Sequence, residues 1–367
     1  MNRIDQVDLV SERASPAPLN KGNQVVDCAI IGFGKMGRIR AKSLEESGRA
    51  RIAGVFDSSP KDSGPYKFYA SEQSILDDAD VGAIFICTPN YRIVPLCKAA
   101  LAAGKHVFCE KPPAFSAAEV KEVMAVEAAS GKVLMYGFNH RHHESVQRMK
   151  AIIDSGDMGR ILWMRGRYGK EVDESFFRDW RAKKELAGGG ILLDQGIHML
   201  DLFLYLAGDF DEVQAMVSNL FWKIDGIEDN VFAQFRSRKT GICASLHSTM
   251  TQWRYLFSLE IFLERGSLVL NGLKTSSGAY GDEDLSIKHN QDGRTAAGNR
   301  GEVRHVFHTD TSWAREIKLF LDAIRNGGYP ETSNSIDALK VMTIVDQVYR
   351  DRISDLQQGS AVCGGAL

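Results

Sequence analysis

Two short stretches carry side chains whose types and spacing suit chemistry. The first is Cys109-Glu110-Lys111-Pro112-Pro113, directly after the apolar run 106–109. It reads as the exit of a buried strand and leaves one lysine at the rim of a sheet. An isolated buried ammonium costs several kcal/mol, so Lys111 must reach a polar cleft. In open α/β sheets such clefts lie at the carboxyl ends of the strands. The prolines that follow fix the backbone and stop the strand. The second stretch is Gly188-Gly189-Gly190 followed by an apolar helical run over residues 191–207. Asp194, His198 and Asp201 are spaced four and then three apart and share one helical face. A polar stripe on an otherwise apolar helix calls for a cleft or for tight internal pairing. An i, i+4 Asp/His pair also suits zinc, but no further ligands are evident nearby, so no metal is expected. An imidazole titrates near neutral pH and suits a general base, while a lysine suits a developing oxyanion.

The elements that must position these groups begin with an apolar run over residues 25–31. It leads into Gly32-Phe33-Gly34-Lys35-Met36-Gly37 and then a helical stretch over 38–47. This is GxGxxG with a strand before it and a helix after it, the context a dinucleotide fingerprint requires. Gly32 serves the tight turn, Gly34 lets the backbone approach a pyrophosphate, and Gly37 lets helix and strand pack closely. The helix start offers free N–H groups to the phosphates. A second strand, 51–56, ends at Asp57, where a carboxylate accepts from the adenosine ribose hydroxyls. Asp57 would repel a 2′-phosphate, which favours NAD over NADP; Ser58, Ser59 and Lys61 weaken that preference. Further strands are expected at 67–69, 83–87, 106–109 and 133–138, with helices between them. The run 83–87 ends at Thr88-Pro89-Asn90, a loop on the same sheet edge as the glycines. Alternating strands and helices at this spacing predict a parallel, doubly wound sheet.

Beyond about residue 140 the pattern changes. A helix over 143–155 leads to strands at 161–168, 213–222, 230–236, 242–251, 256–263 and 268–270. These read as an antiparallel sheet with one covered face. Residues 272–301 read as a mobile surface region with a short strand at 285–288. Helices follow at 314–325 and from Ser335 to about residue 352. The division expected is an arm over 1–24, a dinucleotide domain over 25–142, a substrate and oligomerisation domain over 143–334, and a helix over 335–353 returning toward the first domain. Asn139 and Arg141 directly follow the strand at 133–138 and should point into the cleft. Trp180-Arg181 is a candidate wall of the site, and Tyr168 a weaker one. His140, His142 and His143 read as solvated helix-start residues, with a substrate contact as the other reading.

Composition bounds the rest. The 367 residues suffice for two domains. The net charge of −2, with charges of both signs mixed along the chain, excludes the basic face of a nucleic-acid binder. The six cysteines include no C-x-x-C pair and read as small buried hydrophobes of a reducing compartment. Residues 1–24 have no apolar h-region, and the run 191–207 is broken by Asp194, Gln195, His198 and Asp201. No secretory signal or membrane span is therefore expected, and a cytoplasmic location follows as an expectation.

The chain resembles the Gfo/Idh/MocA family in G-F-G-K-M-G, Asp57, T-P-N at 88–90, E-K-P at 110–112, D-W-R at 179–181, and G-G-G-I-L-L-D-Q-G-I-H-M-L-D at 188–201. These occur in family order over roughly residues 25–350. The resemblance implies a Rossmann domain followed by an α/β domain with a large open sheet. That sheet often forms the contact of a homodimer or homotetramer. It further implies NAD or NADP as cofactor, with Glu110 and Lys111 beside it, and Asp194 and His198 on the substrate side. The activity implied is hydride transfer at a hydroxyl carbon of a sugar, polyol or nucleotide-sugar. In that chemistry His198 would act as base, Asp201 would fix its tautomer, and Asp194 would hold a substrate hydroxyl. A dinucleotide-sensing regulator, an NAD-dependent glycosidase using transient oxidation, and a ring or imine reductase are the competing readings.

Overall fold

A computed structural model describes residues 25–59, 63–290 and 301–359, with side chains to residue 350. The arm over 1–24, Lys61 and Cys363 lie outside the described residues. Contacts divide the chain into two units, Met1–Phe138 with Trp313–Leu339, and Asn139–Ser312 with Lys340–Leu367.

In the first unit, β1 (Val26–Ile31), β2 (Ala50–Phe56), β3 (Ala83–Ile86), β4 (His106–Cys109) and β5 (Leu134–Tyr136) form a parallel sheet in the order β2-β1-β3-β4-β5. Strands β3, β4 and β5 are buried at every position, as continuous apolar runs in a parallel sheet should be. Helices α1 (Lys35–Glu46), α2 (Glu72–Leu76), α3 (Ile93–Ala102) and α4 (Ala117–Ser130) connect them. Ser116 caps α4 by accepting from the Glu119 N–H, and left-handed Gly131 ends it.

The sheet has five strands, one fewer than expected. Residues 67–69 make only an isolated parallel bridge, Val55 to Phe68. Pro65 just before this segment and the Ser71 helix cap just after it leave too little chain for a ladder.

Helix α8 (Ser312–Asn326), which the sequence reading assigned to the second domain, packs into the first unit. Its Ile317, Phe320, Leu321 and Ile324 join the core of Ile30, Phe85 and Phe108. Phe320 meets the edges of Phe85 and Phe108 at 5.4 and 5.6 Å. An amphipathic stripe says that a helix is covered, not which sheet covers it. The division also falls inside the last helix, α9 (Ser335–Gly359), rather than at its start.

The second unit holds an eight-stranded sheet in the order β13-β12-β11-β10-β6-β9-β8-β7. Its strands are β6 (Ile161–Glu171), β7 (Glu212–Ser218), β8 (Asn230–Arg236), β9 (Cys243–Thr249), β10 (Thr251–Leu263), β11 (Gly266–Asn271), β12 (Glu283–His289) and β13 (Glu302–Phe307). All pairs are antiparallel except β6 with β9. Strand β13 was not foreseen. It is an edge strand with no fully buried position, so it lacks the alternation that marks a covered face. Helices α5 (Glu144–Ser155), α6 (Lys184–Ala187) and α7 (Ile197–Ala207) belong to this unit. The helical stretch Lys184–Ala207 is long and apolar enough to cross a membrane, yet 78% of its most apolar window is buried inside the protein, as in a core helix. Of the cysteines, Cys28, Cys97 and Cys109 are buried as expected, whereas Cys243 is exposed on β9.

Candidate active site

The turn between β1 and α1 is shaped by what glycine omits. Gly32 has φ +91°, and a Cβ there would lie 2.5 Å from the Cys87 carbonyl oxygen. A Cβ on Gly37 would lie 2.2 Å from the Gly32 oxygen, so any side chain would push helix from strand. Gly34 differs, since nothing lies within 4 Å of its missing Cβ. The exposed face of the turn is thus backbone with open space before it, which suits close approach by a pyrophosphate. Helix α1 has no side-chain cap and no acidic residue in its first turn, so its start is electropositive. Lys35 is exposed there and Met36 is half-buried.

Asp57 closes the other side. Its Oδ2 accepts from the Phe33 N–H at 2.7 Å and its Oδ1 from the Ser59 N–H at 2.9 Å. Both bonds fix the carboxylate at the end of β2. Phe33 is buried against the edge of Tyr66, with the Arg38 guanidinium 4.8 Å from its ring centre. At the end of β3, the Thr88 Oγ1 is buried and has no hydrogen-bond partner among the described residues. Pro89 follows it and precedes a single 3-10 turn, Asn90–Arg92. An open glycine turn, a fixed carboxylate and an orphaned buried hydroxyl fit a dinucleotide.

Lys111 is half-buried, one residue past the point where Glu110 still donates its N–H to the Ile86 oxygen at 2.9 Å. The Lys111–Pro112 peptide is cis. Glu110 does not behave as a cofactor contact. Its side chain is buried, and Oε1 accepts from Arg40 Nε at 2.6 Å, while Arg40 Nη1 reaches Glu316 Oε2 at 2.5 Å. Burial alone would lower the Arg40 pKa, but the two carboxylates reverse the effect and raise it. Glu110 therefore anchors the strand end from inside, and half-buried Lys111 follows it. Arg40 was not singled out, because a charged residue at a helix position normally reads as surface.

In the second unit, the helix bearing the polar stripe begins with a π turn, Leu192–Gly196, before α7. Buried Glu228 holds its start. Its carboxylate accepts from the Gly190 N–H at 2.7 Å, the Leu192 N–H at 2.9 Å and the Tyr349 O–H at 2.8 Å. A Cβ on Gly190 would sit 2.2 Å from the Glu228 carbonyl oxygen, which accounts for a glycine there. Asp194 is partly exposed. Lys170 Nζ donates to its Oδ2, and Arg181 Nε lies 3.5 Å from its Oδ1. Lys170 was missed, although it stands two residues beyond Tyr168 on β6 and so on the same strand face. Arg181 also lies over the Trp180 ring, 4.4 Å from its centre.

His198 is buried and stacks on His140, with ring centres 3.7 Å apart and planes 9° from parallel. His140 is fixed in turn, with Nε2 2.9 Å from the Tyr168 O–H and Nδ1 3.0 Å from Asn139 Oδ1. The geometry fits Tyr168 donating to Nε2 and Nδ1–H donating to Asn139, whose Nδ2 donates to Ser312 Oγ at 3.3 Å. Burial, reinforced by the nearby Asp194 charge, raises the Tyr168 pKa, so the phenol stays protonated and able to donate.

Several expectations change here. His140, His142 and His143 are buried, not solvated. His143 Nδ1 pairs with Glu283 Oε1 at 2.6 Å. Arg141 is 2% exposed and grips Asp201 with both arms of its fork, at 2.8 and 2.6 Å. It therefore supports α7 instead of facing a cleft, and both Asp201 carboxylate oxygens are engaged by that guanidinium. Asn139 likewise serves His140. The unit thus gathers Asp194, His198, Tyr168 and Arg181, adds Lys170 and His140, and withdraws Arg141 and Asn139 into supporting pairs.

Comparison with known proteins identifies the family and the fold. Residues 26–138 match the oxidoreductase family with an NAD-binding Rossmann fold, and residues 146–269 match the GFO/IDH/MocA C-terminal domain. The inositol 2-dehydrogenase of Rhizobium meliloti is 27% identical over 338 residues, covering 88% of this chain and 95% of that protein. The levoglucosan dehydrogenase of Pseudarthrobacter phenanthrenivorans is 38% identical over 148 residues, 40% of this chain and only 38% of that enzyme's length. Among solved structures, a levoglucosan dehydrogenase in complex with NADH and levoglucosan superposes with a TM-score of 0.79. It is 25% identical and covers 89% of this chain and 97% of that one.

Proposed function

We propose, from the premise that this chain belongs to the Gfo/Idh/MocA family of NAD(P)-binding oxidoreductases, that it transfers hydride between nicotinamide and a secondary hydroxyl or keto carbon of a sugar or cyclic polyol. The observation that carries this reading is the joint presence of two halves. One is a glycine turn with open space at Gly34 beside a fixed Asp57. The other is the Asp194/His198 pair, held by Lys170 and Arg181 on one side and by His140 and Tyr168 on the other.

The nicotinamide supplies the hydride acceptor when bound. The phosphates would lie against the Gly32–Gly37 turn, and the adenosine ribose against Asp57. A carboxylate there repels a 2′-phosphate, so NAD is the cofactor we assign. His198 takes the proton of the reacting hydroxyl as its carbon loses hydride, and returns it in the reverse direction. Stacking on His140 holds the imidazole plane. Lys111 is the cation we assign to stabilise negative charge as the O–H bond breaks. Asp194, its charge balanced by Lys170 and Arg181, accepts from a neighbouring hydroxyl. A pair of adjacent hydroxyls distinguishes sugars and inositols from simple alcohols, and relatives of this chain are named for levoglucosan and inositol. We place a homo-oligomer contact on the outer face of the eight-stranded sheet, where Met216 and its cross-strand partner Phe232 are exposed.

The test separates binding from chemistry. Lys111→Met should retain NAD affinity while turnover of the best substrate in a sugar and inositol panel falls at least about 100-fold. Unchanged turnover would remove Lys111 from the mechanism. Failure of every panel member to reduce NAD would favour the dinucleotide-sensing reading, and hydrolysis of a glycoside without net NADH would favour the glycosidase.

A further inference from the structure

The second unit carries a group of aromatic side chains that its core does not use. Phe177, Phe221 and Trp253 are 48%, 57% and 54% exposed, yet they are in contact through half-buried Trp222. Phe221 meets Trp253 at 4.8 Å and Trp222 at 5.0 Å between ring centres, and Phe177 meets Trp222 at 5.8 Å, all edge to face. Exposed apolar patches of this kind mark interaction sites more often than chance.

Two features show that the patch is built. Buried Asp229 spends its carboxylate on the loop beneath it, accepting from the N–H groups of Leu220 at 3.2 Å, Phe221 at 2.7 Å and Trp222 at 3.1 Å. On β10, Thr251 pairs with Glu171 and Leu256 with Gly169, so five steps on one strand face two on the other. The surplus bulges out and carries Trp253 in a left-handed conformation, φ +54°. A bulky residue at such a φ is strained, and strain of this kind gathers at ligand sites.

The patch is linked along the chain to the residues that hold Asp194. Lys170, which donates to Asp194, lies over the Phe176 ring at 5.3 Å, and the next residue, Phe177, is part of the patch. Glu228 and Asp229 are consecutive, and while Asp229 fixes the aromatic loop, Glu228 fixes the helix that carries Asp194 and His198. One dipeptide therefore sets the position of both.

We propose that Phe177, Phe221, Trp222 and Trp253 form a subsite for a second ring attached through the glycosidic oxygen of the sugar held at Asp194, so that the preferred substrate is a glycoside and not a free monosaccharide. Aromatic faces stack on the C–H face of a pyranose or on an aryl ring, while Lys170, Arg181 and Asp194 serve hydroxyls. The proposal rests on the reading of Asp194 and His198 as the sugar end of the site.

The experiment compares kcat/KM for NAD reduction with glucose, methyl glucoside, phenyl glucoside and cellobiose. The ring-bearing substrates should exceed methyl glucoside about tenfold or more, the scale of one aromatic contact. Trp253→Ala and Phe221→Ala should bring that ratio close to one. A preference for phenyl glucoside alone identifies an aryl ring, and for cellobiose as well a sugar ring; both support the subsite. A ratio near one in the unaltered protein, or one that neither substitution moves, overturns it. If no sugar reduces NAD, the proposed function fails and the subsite is judged by calorimetry with phenyl glucoside. Saturable binding lost in Trp253→Ala then supports it, and no binding overturns it. If Trp253→Ala shifts the sedimentation coefficient but not the ratio, the patch joins copies of the chain and the proposal falls.

Discussion

The glycine turn of the first unit and the histidine cluster of the second prepare for a ligand by different means. In the first, the working surface is backbone. Six consecutive residues, Gly32 to Gly37, make the turn, and its requirements are set by missing side chains. In the second, the surface is made of side chains from distant parts of the chain. His198 rests on His140, which is held by Tyr168 and Asn139, while Asp194 is held by Lys170 and Arg181. A local backbone motif of this kind is most sensitive where a Cβ would strike backbone, as at Gly32 and Gly37. A network of buried polar side chains depends on each member, because any one left alone must bear its own desolvation.

The largest effect should come from that dependence. Arg141→Met leaves the Asp201 carboxylate buried without the guanidinium that grips both its oxygens. Breaking a buried pair in this way typically costs about 3–5 kcal/mol. Urea denaturation should show a loss of that size. Adding Asp201→Leu should recover part of it, giving a coupling of about 1–3 kcal/mol in the double-mutant cycle. A loss below about 1 kcal/mol would mean that the cluster does not depend on this pair, and the contrast with the glycine turn would weaken.

A somewhat smaller effect tests the contrast from the other side, because the first unit also has buried polar side chains, Arg40 with Glu110 and Glu316, and a titratable one in His106. His106 Nδ1 accepts from the Val133 N–H at 3.0 Å, linking the starts of two neighbouring strands. Burial, with a further contribution from Lys132, lowers its pKa from 6.5 to about 4. The folded state thus resists a proton that the unfolded chain accepts. The stability this confers is present above the unfolded value of 6.5 and is lost as pH falls toward about 4, by at most about 3 kcal/mol. His106→Asn keeps an acceptor without titrating in that window. The difference in unfolding free energy between the two proteins should therefore change with pH between 6.5 and 4 and level off outside it. Parallel pH profiles would show that His106 is not what makes the first unit acid-sensitive.

What could be read in advance follows the same division. The GxGxxG turn, Asp57, and the emergence of Lys111 from an apolar strand are statements about neighbours in sequence, and periodicity reveals them. That Asp194 and His198 share one helical stretch was visible, because they are four residues apart. Lys170, which joins Asp194 from 24 residues away, was not visible, nor was His140 as the stacking partner of His198 across 58 positions. Arg141 was misread because its strand-end position resembles that of a ligand contact. Only the fold shows Asp201 within its reach. Glu110 is the equivalent misreading in the first unit, since its partner Arg40 lies 70 residues away and reaches Glu316 as well. Helix α8 shows the same limit at the scale of an element, since its apolar stripe fits either sheet.

The smallest effect on stability sharpens the comparison most, because it separates two glycines of one turn. Gly37→Ala places a Cβ 2.2 Å from the Gly32 carbonyl oxygen, and a backbone atom cannot rotate away. Overpacking of this sort costs about 1–3 kcal/mol and should appear as a lower urea midpoint with or without cofactor. Gly34→Ala adds the same methyl group where no atom lies within 4 Å and where φ is −77°. Its ψ of −154° is less comfortable for alanine, yet removing glycine also stiffens the unfolded chain, so the net change should stay within about 0.5 kcal/mol. The same methyl would stand where the pyrophosphate must approach, and NAD affinity should fall about tenfold or more while the midpoint without NAD stays put. If Gly34→Ala bound NAD as well as the unaltered protein, the open space at that turn would not be the phosphate site.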